Sequence, residues 1–324
     1  MQSGGPSLLS LGSINADFMM RTGAPLEAAA MLAAHDLRRL GGGKAANVAL
    51  LAARLGRRAH LLGAVGNDDL AEQALAPLRE ARVVLDGVLH HAVGTGVAMV
   101  LVPPDGKKRI VSAGEANFCF DHAAIEALKE DVAAAVAGSV LVCDYEITPQ
   151  AVSCGVAAAH AQGLRVVIDP SFPDKVPHAD LRLAYALTPN AEEATALVGI
   201  RDRSDDALVA AARALAACGP PVVCIKLDHG GCLFYHDSQP WHVPAAPVDV
   251  VDTTGAGDAF SGAFAVALLD GASVSDAVLC AVAASEIAVT AYGAQPSYPD
   301  RDRLIRQIRS AERPLTPWGQ RSTS

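Results

Sequence analysis

The chain has 324 residues, of which 51% are hydrophobic and 19% charged, a balance that excludes a disordered chain and allows a large buried core. Its 26 lysines and arginines against 35 aspartates and glutamates give a net charge of −9. This charge excludes long-range attraction to nucleic acid or to an anionic membrane, so any anionic ligand must be held by local donors.

Buried strands alternate with helices along most of the chain. Apolar runs predict strands at residues 8–12, 140–143, 165–168 and 222–226, and helical spacing predicts helices at 45–55, 123–137, 149–162, 206–217, 256–269, 274–291 and 300–310. Continuous apolar strands between helices indicate an α/β fold with a mostly parallel sheet covered on both faces. The polar tail, residues 316–324, is expected to fray.

Two stretches interrupt this alternation. Residues 19–40 have no clear period, and the segments 96–102 and 109–112 flank Pro103-Pro104-Asp105-Gly106, a strong turn signal. Both stretches are predicted to form a small β flap over one edge of the main sheet.

Cysteine spacing and the N-terminal residues bear on the compartment. The seven cysteines include no CxxC pair, and no basic region precedes the first apolar residues. These features indicate reduced core cysteines and no signal peptide, and no apolar run is long enough to cross a bilayer. We therefore expect a cytoplasmic protein without a membrane or nucleic-acid partner.

The strongest signal for chemistry is the segment Asp252-Thr253-Thr254-Gly255-Ala256-Gly257-Asp258. Its small residues let a ligand approach the backbone, and a helix that begins there directs free N–H groups and the positive end of its dipole at one point. Such a point suits a phosphoryl group in transfer, and Asp258 in the first turn can accept a proton from an attacking hydroxyl. The alternative is a group of capping residues that only begins a helix.

Two further polar segments suit hydroxyl groups. Gly41-Gly42-Gly43-Lys44-Ala45-Ala46-Asn47 also begins a helix, and Lys44 and Asn47, three residues apart, lie on one face of its first turn. Asn15 and Asp17, two apart in an extended segment, point the same way and can bind adjacent hydroxyls. The alternatives are a capped loop for the first segment and an Asx turn for the second.

Asn190 and Glu193 lie three residues apart at another predicted helix start. They resemble a capping box, and they can equally order water around a magnesium ion, so spacing alone leaves both interpretations open. Other catalytic patterns are missing: the sequence has no HExxH among its ten histidines and no GxGxxG after the first strand.

Together and in this order, these segments resemble the ribokinase (PfkB) family of carbohydrate kinases over residues 8–299. Residues 42–47 resemble the first signature of the family and residues 252–258 the second. The opening segment Leu11-Gly12-Ser13-Ile14-Asn15-Ala16-Asp17 is similar too, as is the later segment Ala288-Val289-Thr290 followed by Gly293-Ala294-Gln295-Pro296-Ser297. The resemblance implies one ribokinase-like domain, residues 1–324. Its fold would be a three-layer α/β/α arrangement with a central, mostly parallel sheet and a small β-sheet lid from segments near 14–40 and 90–117.

The resemblance also implies a role for each site residue. Asp258 would be the catalytic base, with an anion hole formed by Gly255, Ala256 and Gly257. Sugar hydroxyls would meet Asn15, Asp17, Gly43, Lys44, Asn47, Glu146 and Asp258. ATP would lie against Asn190, Lys226, Asp228, Gly231 and Gly257, and Asn190 and Glu193 would arrange Mg²⁺. A potassium ion would be held by Asp252, Thr254, Ala288, Ala291, Gly293 and Ser297.

The implied activity is transfer of the γ-phosphoryl group of MgATP to a primary sugar hydroxyl, with D-ribose converted to ribose 5-phosphate. The alternatives are a fructokinase, a 2-keto-3-deoxygluconate kinase, a nucleoside kinase, or a catalytically silent sugar or nucleotide sensor. Lys44 favours ribokinase-like members of the family. Two features depart from the pattern of those members and bear on the choice of sugar: Ala45, which replaces a usual glycine, and the lid segment Ala24-Pro25-Leu26-Glu27.

The resemblance also implies a homodimer through apolar lid residues, among them Val97, Met99 and Leu101.

Overall fold

A computed structural model describes residues 5–28, 30–104 and 108–320 of the chain. Its strands are β1 (Leu8–Leu11), β2 (Asn15–Thr22), β3 (Ala34–Gly42), β4 (Ala59–Gly66), β5 (Val88–His91), β6 (Gly96–Val102), β7 (Arg109–Ala113), β8 (Val140–Asp144), β9 (Arg165–Asp169), β10 (Ala186–Leu187), β11 (Val222–Lys226), β12 (Cys232–His236), β13 (Gln239–Val243) and β14 (Thr316–Pro317). Its helices are α1 (Lys44–Arg54), α2 (Asp69–Glu80), α3 (His122–Ala133), α4 (Pro149–Ala161), α5 (His178–Leu183), α6 (Ala191–Leu197), α7 (Asp205–Ala217), α8 (Ala256–Leu269), α9 (Val274–Ala288), α10 (Ala294–Ser297) and α11 (Arg301–Ser310).

The large sheet has ten strands in the order β14-β13-β12-β11-β10-β9-β8-β1-β4-β5. All pairings from β11 to β5 are parallel, and the last three strands at the other edge pair antiparallel. β4, the next strand of this sheet along the chain, pairs with one side of β1, and the later strand β8 pairs with its other side. Open α/β sheets bind ligands outside the carboxyl ends of the strands at such a reversal of strand order.

Alternating strand residues pack into two helical layers, which confirms the predicted three-layer α/β/α fold. Val140 and Val142 of β8 pack in one core with α1, α2, α8 and α9. Leu141 and Cys143 of the same strand pack in the other core with α3, α4 and α7. Period-two alternation in a strand that is buried on both faces produces this division, because successive side chains point to opposite faces.

The small sheet has the order β3-β2-β6-β7. β6 and β7 pair antiparallel, as expected for the hairpin, although its turn residues Asp105 and Gly106 lie outside the described residues. The four strands fall inside the segments expected to form the lid. His90 and His91 do not belong to the small sheet, because β5 pairs parallel with β4 at the edge of the large sheet.

Two sequence predictions near the C-terminus are wrong. The helix predicted at 274–291 ends at Ala288, because backbone groups beyond it bond to another loop: the Val289 carbonyl accepts from Val251 N at 2.8 Å. The tail predicted to fray is ordered up to residue 320. Thr316 and Pro317 pair with β13, and Trp318 is buried with its ring edge-on to His242. Residues 321–324 lie outside the described residues.

The seven cysteines are free, and three of them, Cys143, Cys224 and Cys232, are buried as expected, whereas the other four are half-buried. In the part of the chain that the structure describes, no helix combines the length and apolar character needed to cross a membrane.

Candidate active site

A cleft of about 1160 Å³ lies between the carboxyl edge of the large sheet and one face of the small sheet. The small sheet contributes Asn15, Asp17, Ala98, Val100, Ile110 and Ser112 to its lining. The large sheet contributes the ends of its strands and the loops that follow them, including Glu146, Asn190 and Lys226. The starts of α1 and α8 close the floor between the two sheets, so the segments singled out in the sequence meet in one place.

Both helix starts depend on a glycine with a positive φ. Gly43 before α1 has φ 91°, and a Cβ atom there would lie 2.4 Å from the Ser13 carbonyl oxygen. Gly255 before α8 has φ 76°, and a Cβ atom there would lie 2.5 Å from the Ala294 Cβ. Each glycine lets the chain turn sharply against a neighbouring segment. At α1 the N–H groups of Lys44 and Ala46 donate to Ser13, whereas residues 255–257 at the start of α8 line the cleft.

Asp258 lies in the first turn of α8, where two donors from α1 fix its carboxylate. Lys44 Nζ lies 3.4 Å from Oδ1, and Asn47 Nδ2 donates to Oδ2 at 2.7 Å. The predicted common face of Lys44 and Asn47 is therefore turned towards Asp258. A fixed carboxylate at a helix start that lines the cleft is suited to proton abstraction next to a phosphoryl group.

Lys44 also belongs to a buried ion network centred on Asp169 at the end of β9. Asp169 accepts from Lys226 Nζ at 2.9 Å and from Ser261 Oγ at 2.9 Å, and its other oxygen lies 3.5 Å from Lys44 Nζ. Burial disfavours the charged forms of both Lys44 and Asp169, but the attraction of nearby opposite charges outweighs this effect. They raise the pKa of Lys44 well above its usual value and lower the pKa of Asp169 to about 2.

The side of the cleft that is expected to meet the acceptor sugar contains two carboxyl groups. Burial, followed by the charges of Asp258 and Glu146, raises the pKa of Asp17 to about 7, and its Oδ1 has no hydrogen-bond partner among the described residues. Glu146 accepts from Ser13 Oγ at 3.1 Å, and burial raises the pKa of its carboxyl despite the nearby charge of Lys44. A buried acceptor atom without a donor is unfavourable, so Asp17 suits a ligand hydroxyl.

Asn15 is held by a residue that the sequence analysis did not identify. The Asn117 side-chain amide donates to Asn15 Oδ1 at 2.9 Å and also exchanges hydrogen bonds with the backbone of Ile14. Asp169 was missed as well. It ends a buried strand at the carboxyl edge of the sheet, the same placement that singles out Glu146, so its position offered a usable signal.

The residues predicted for the nucleotide lie along the opposite side of the cleft. Asn190, Glu193, Lys226, Asp228, Gly231 and Gly257 all line it. Asn190 and Glu193 form a capping box at the start of α6, with both hydrogen bonds at 2.8 Å. The structure therefore shows the capping box. Both residues also line the cleft, and their side chains carry the oxygen ligands that a hydrated magnesium ion prefers.

A buried ion pair shapes the far wall of the nucleotide side. The Glu286 carboxylate of α9 accepts from Ala246 N at 2.7 Å, which fixes the wall loop 245–250. Glu286 also pairs with the buried Arg313 beyond α11 and accepts from Gln307 at 2.7 Å. The C-terminal segment therefore contributes to the shape of the cleft through α9.

The residues predicted to hold potassium surround the loop before α8. Asp252 Oδ1 accepts from Thr254 N at 2.9 Å and Thr254 Oγ1 at 2.7 Å, and Oδ2 accepts from Gly293 N at 2.9 Å. Ala288 ends α9, Ala291 lies in the following loop, and Ser297 ends α10. Asp252 is buried and has no lysine, arginine or histidine nitrogen within 4.0 Å among the described residues, so its charge fits a cation.

Comparison with known proteins agrees with this geometry. The model of the pfkB family of carbohydrate kinases matches residues 6–301. A ribokinase of Haemophilus influenzae is 29% identical over 308 residues, which cover 94% of this chain and 99% of that protein. A bifunctional ribokinase/ribose-5-phosphate isomerase A of Fructilactobacillus sanfranciscensis is 30% identical over 270 residues, 83% of this chain, and the match spans 49% of that protein's length.

A solved structure is similar over almost the same range. The structure of Arabidopsis thaliana ribokinase complexed with ribose and ATP has a TM-score of 0.82 and 28% identity, and the match covers 94% of this chain and 99% of that chain. These comparisons confirm the resemblance inferred from the ordered segments.

The raised pKa of Asp17 predicts a pH-dependent stability difference. Between its unfolded pKa of 3.8 and its folded pKa of about 7, the folded state retains a proton that the unfolded state loses, so wild-type stability falls as pH rises. Asp17→Asn removes this dependence. The free energy of unfolding of the Asp17→Asn variant, relative to that of wild type, should rise by roughly 3 kcal/mol from pH 5 to pH 8, as measured by urea unfolding.

Asp206→Asn is the matched control, because Asp206 is exposed in the first turn of α7. Its stability relative to wild type should stay constant over the same range. A constant difference for Asp17→Asn as well would show that the pKa of Asp17 is normal.

Proposed function

We infer that this chain, which belongs to the pfkB family of carbohydrate kinases and is a phosphotransferase acting on a sugar hydroxyl, phosphorylates D-ribose at its primary hydroxyl. The products would be ribose 5-phosphate and ADP. The observation that carries this inference is the position of Asp258, fixed by Lys44 and Asn47 at the start of α8, between the hydroxyl-binding and nucleotide sides of one cleft. The ribokinase relatives support ribose as the acceptor.

In the proposed mechanism Asp258 takes the proton of the primary hydroxyl as that oxygen attacks the γ-phosphorus. The new oxygen–phosphorus bond forms as the bond between the γ-phosphorus and the β,γ-bridging oxygen breaks, and ADP carries away that electron pair. The N–H groups at residues 255–257 stabilise the charge on the moving phosphoryl group. Lys44 and Asn47 orient the carboxylate, and Asn15, Asp17 and Glu146 hold the other hydroxyls.

The chain offers ligands for both ions of the proposed reaction. Mg²⁺ bound with ATP would offset phosphate charge, and Asn190 and Glu193 would hold its water ligands. K⁺ would rest on Asp252, Thr254, Ser297 and the carbonyl groups of Ala288, Ala291 and Gly293, next to the anion hole. Asp252 joins the loop before α8 to the loop after α9, so a cation there would stabilise the arrangement of the N–H donors.

The outer face of the small sheet suits a second copy of the chain. Met99 and Val111 are paired in register and expose 41% and 65% of their surface, while Val97 and Leu101 are half-buried. We propose that this face forms a homodimer. Light scattering at micromolar concentration should give twice the mass of one chain. The paired substitution Met99→Glu with Val111→Lys should reduce the measured mass to that of one chain. A monomeric wild type would exclude the dimer.

The acceptor is tested by ADP release from MgATP with purified protein and a panel of ribose, fructose, 2-keto-3-deoxygluconate and nucleosides. Ribose should give the highest kcat/KM, because the acceptor side combines Asp17 and Asn15 with Lys44. Turnover should also be faster in potassium than in a large organic cation of equal ionic strength. Faster turnover of another panel member would retain the mechanism and reassign the substrate. Bound ATP with no turnover would favour a silent sensor.

The base is tested by Asp258→Asn, which keeps the shape of the side chain and removes its basicity. We expect kcat to fall about 10²–10⁴-fold, the usual contribution of a general base. Asp206→Asn makes the same change in the first turn of another helix and should leave kcat unchanged. Wild-type turnover by Asp258→Asn would exclude Asp258 as the base.

A further inference from the structure

Lys108 brings a positive charge from the small sheet into the cleft. It immediately precedes β7, and it shares a strand face with Ile110 and Ser112, which also line the cleft. Its neighbour Arg109 lies on the opposite face, where it pairs with the exposed Glu27 at 3.3 Å. Nothing in the local sequence distinguished Lys108 from Arg109, and only the register of β7 separates them.

The Lys108 ammonium spans the cleft to the loop before α8. Its Nζ donates to Thr254 Oγ1 at 3.2 Å, and Thr254 Oγ1 in turn donates to Asp252 Oδ1 at 2.7 Å. Thr254 directly precedes Gly255, the first residue of the proposed anion hole. Lys108 is therefore the contact by which the small sheet reaches the point where the phosphoryl group would move.

The charge of Lys108 is less compensated than the charges of the two other lysines in the cleft. Lys44 and Lys226 each lie within 3.5 Å of an Asp169 oxygen. Within the described residues, no carboxylate oxygen lies within 4.0 Å of Lys108 Nζ. The group there that accepts its hydrogen bond is the neutral hydroxyl of Thr254. Burial lowers the pKa of Lys108, and the more distant charges of Asp252 and Asp258 oppose that shift. A half-buried ammonium without a paired anion favours binding of an anion.

We propose that Lys108 is a catalytic residue that binds the phosphoryl group during its transfer, opposite the N–H groups of residues 255–257. This inference rests on the proposed function. Lys108 forms no covalent bond and exchanges no proton in this role, because the proton of the acceptor goes to Asp258. Its ammonium contacts the phosphoryl oxygens as charge shifts towards the leaving oxygen of ADP, which stabilises the transition state more than bound ATP.

The geometry favours the phosphoryl group over an anionic acceptor as the partner of Lys108. Apart from Lys108, the lysines among the described lining residues, Lys44 and Lys226, are paired with Asp169, so the acceptor side offers no free cation to a sugar that already bears a phosphate or carboxylate. Lys108 lies instead at the loop before α8. Since it comes from the small sheet, its contribution requires that sheet to cover the cleft, and the same covering excludes water as a competing acceptor.

The test compares Lys108→Met and Lys108→Arg with Arg109→Gln, which removes the neighbouring charge on the outer face. With the acceptor that the wild type uses best, Lys108→Met should lower kcat about 10²–10³-fold and change the acceptor KM less than about threefold. Lys108→Arg should restore most of the lost kcat, and Arg109→Gln should match wild type. Circular dichroism and thermal unfolding verify that each variant is folded.

A binding measurement tests the same role without turnover. Calorimetry with ADP and aluminium fluoride, a mimic of the transferring phosphoryl group, in the presence of acceptor should show at least a 10²-fold weaker complex for Lys108→Met. ADP alone should bind this variant as it binds wild type. An equal loss for ADP and for ADP with aluminium fluoride, or no loss in either, would overturn the proposal.

The failures of the two proposals are distinguishable. An active wild type with an equally active Lys108→Met variant would refute the role of Lys108 and leave the kinase function in place. A rise confined to the acceptor KM would refute transition-state binding and assign Lys108 to an anionic acceptor. A wild type that phosphorylates no panel member but binds ADP with aluminium fluoride through Lys108 would refute the ribose assignment alone.

Discussion

The buried carboxylate of Asp169, with a lysine on each side, is the interaction on which the geometry of the cleft depends. Lys44 approaches it from the start of α1 on the acceptor side, and Lys226 approaches from the end of β11 on the nucleotide side. An unpaired charge at this depth would cost several kcal/mol, so each of the three groups requires the others. The network thus ties the two binding sides together and leaves Lys44 beside Asp258.

Around this network the fold brings together the starts of two helices that are distant in sequence. Gly43 and Gly255 each begin a helix with a positive φ, and Asn47 of the first helix bonds to Asp258 of the second. The helices meet because both pack on the same face of the large sheet, across β1 and β8. A reversal of strand order at β1 opens the space that the ligands need.

The small sheet has two faces with different chemistry. Its inner face presents Asn15, Asp17 and Lys108 to the cleft, and its outer face presents Met99 and Val111. Strand alternation makes this possible with few residues, because neighbours along a strand point in opposite directions. A sheet built in this way can recognise a polar ligand on one side and an apolar surface on the other.

The sequence by itself determined the layered α/β fold, the helix starts at residues 44 and 256, and the family, because these depend on local spacing: apolar periodicity, glycine before a helix, and acids at fixed offsets. Tertiary structure alone decided the end of α9, the burial of Trp318, and the roles open to Asn117 and Lys108. Each of these depends on contacts between segments far apart in the chain, for which one sequence contains no local signal. The pairing of Asp169 with Lys44 spans 125 positions by their numbering, and only the order of strands in the sheet brings the two side chains together.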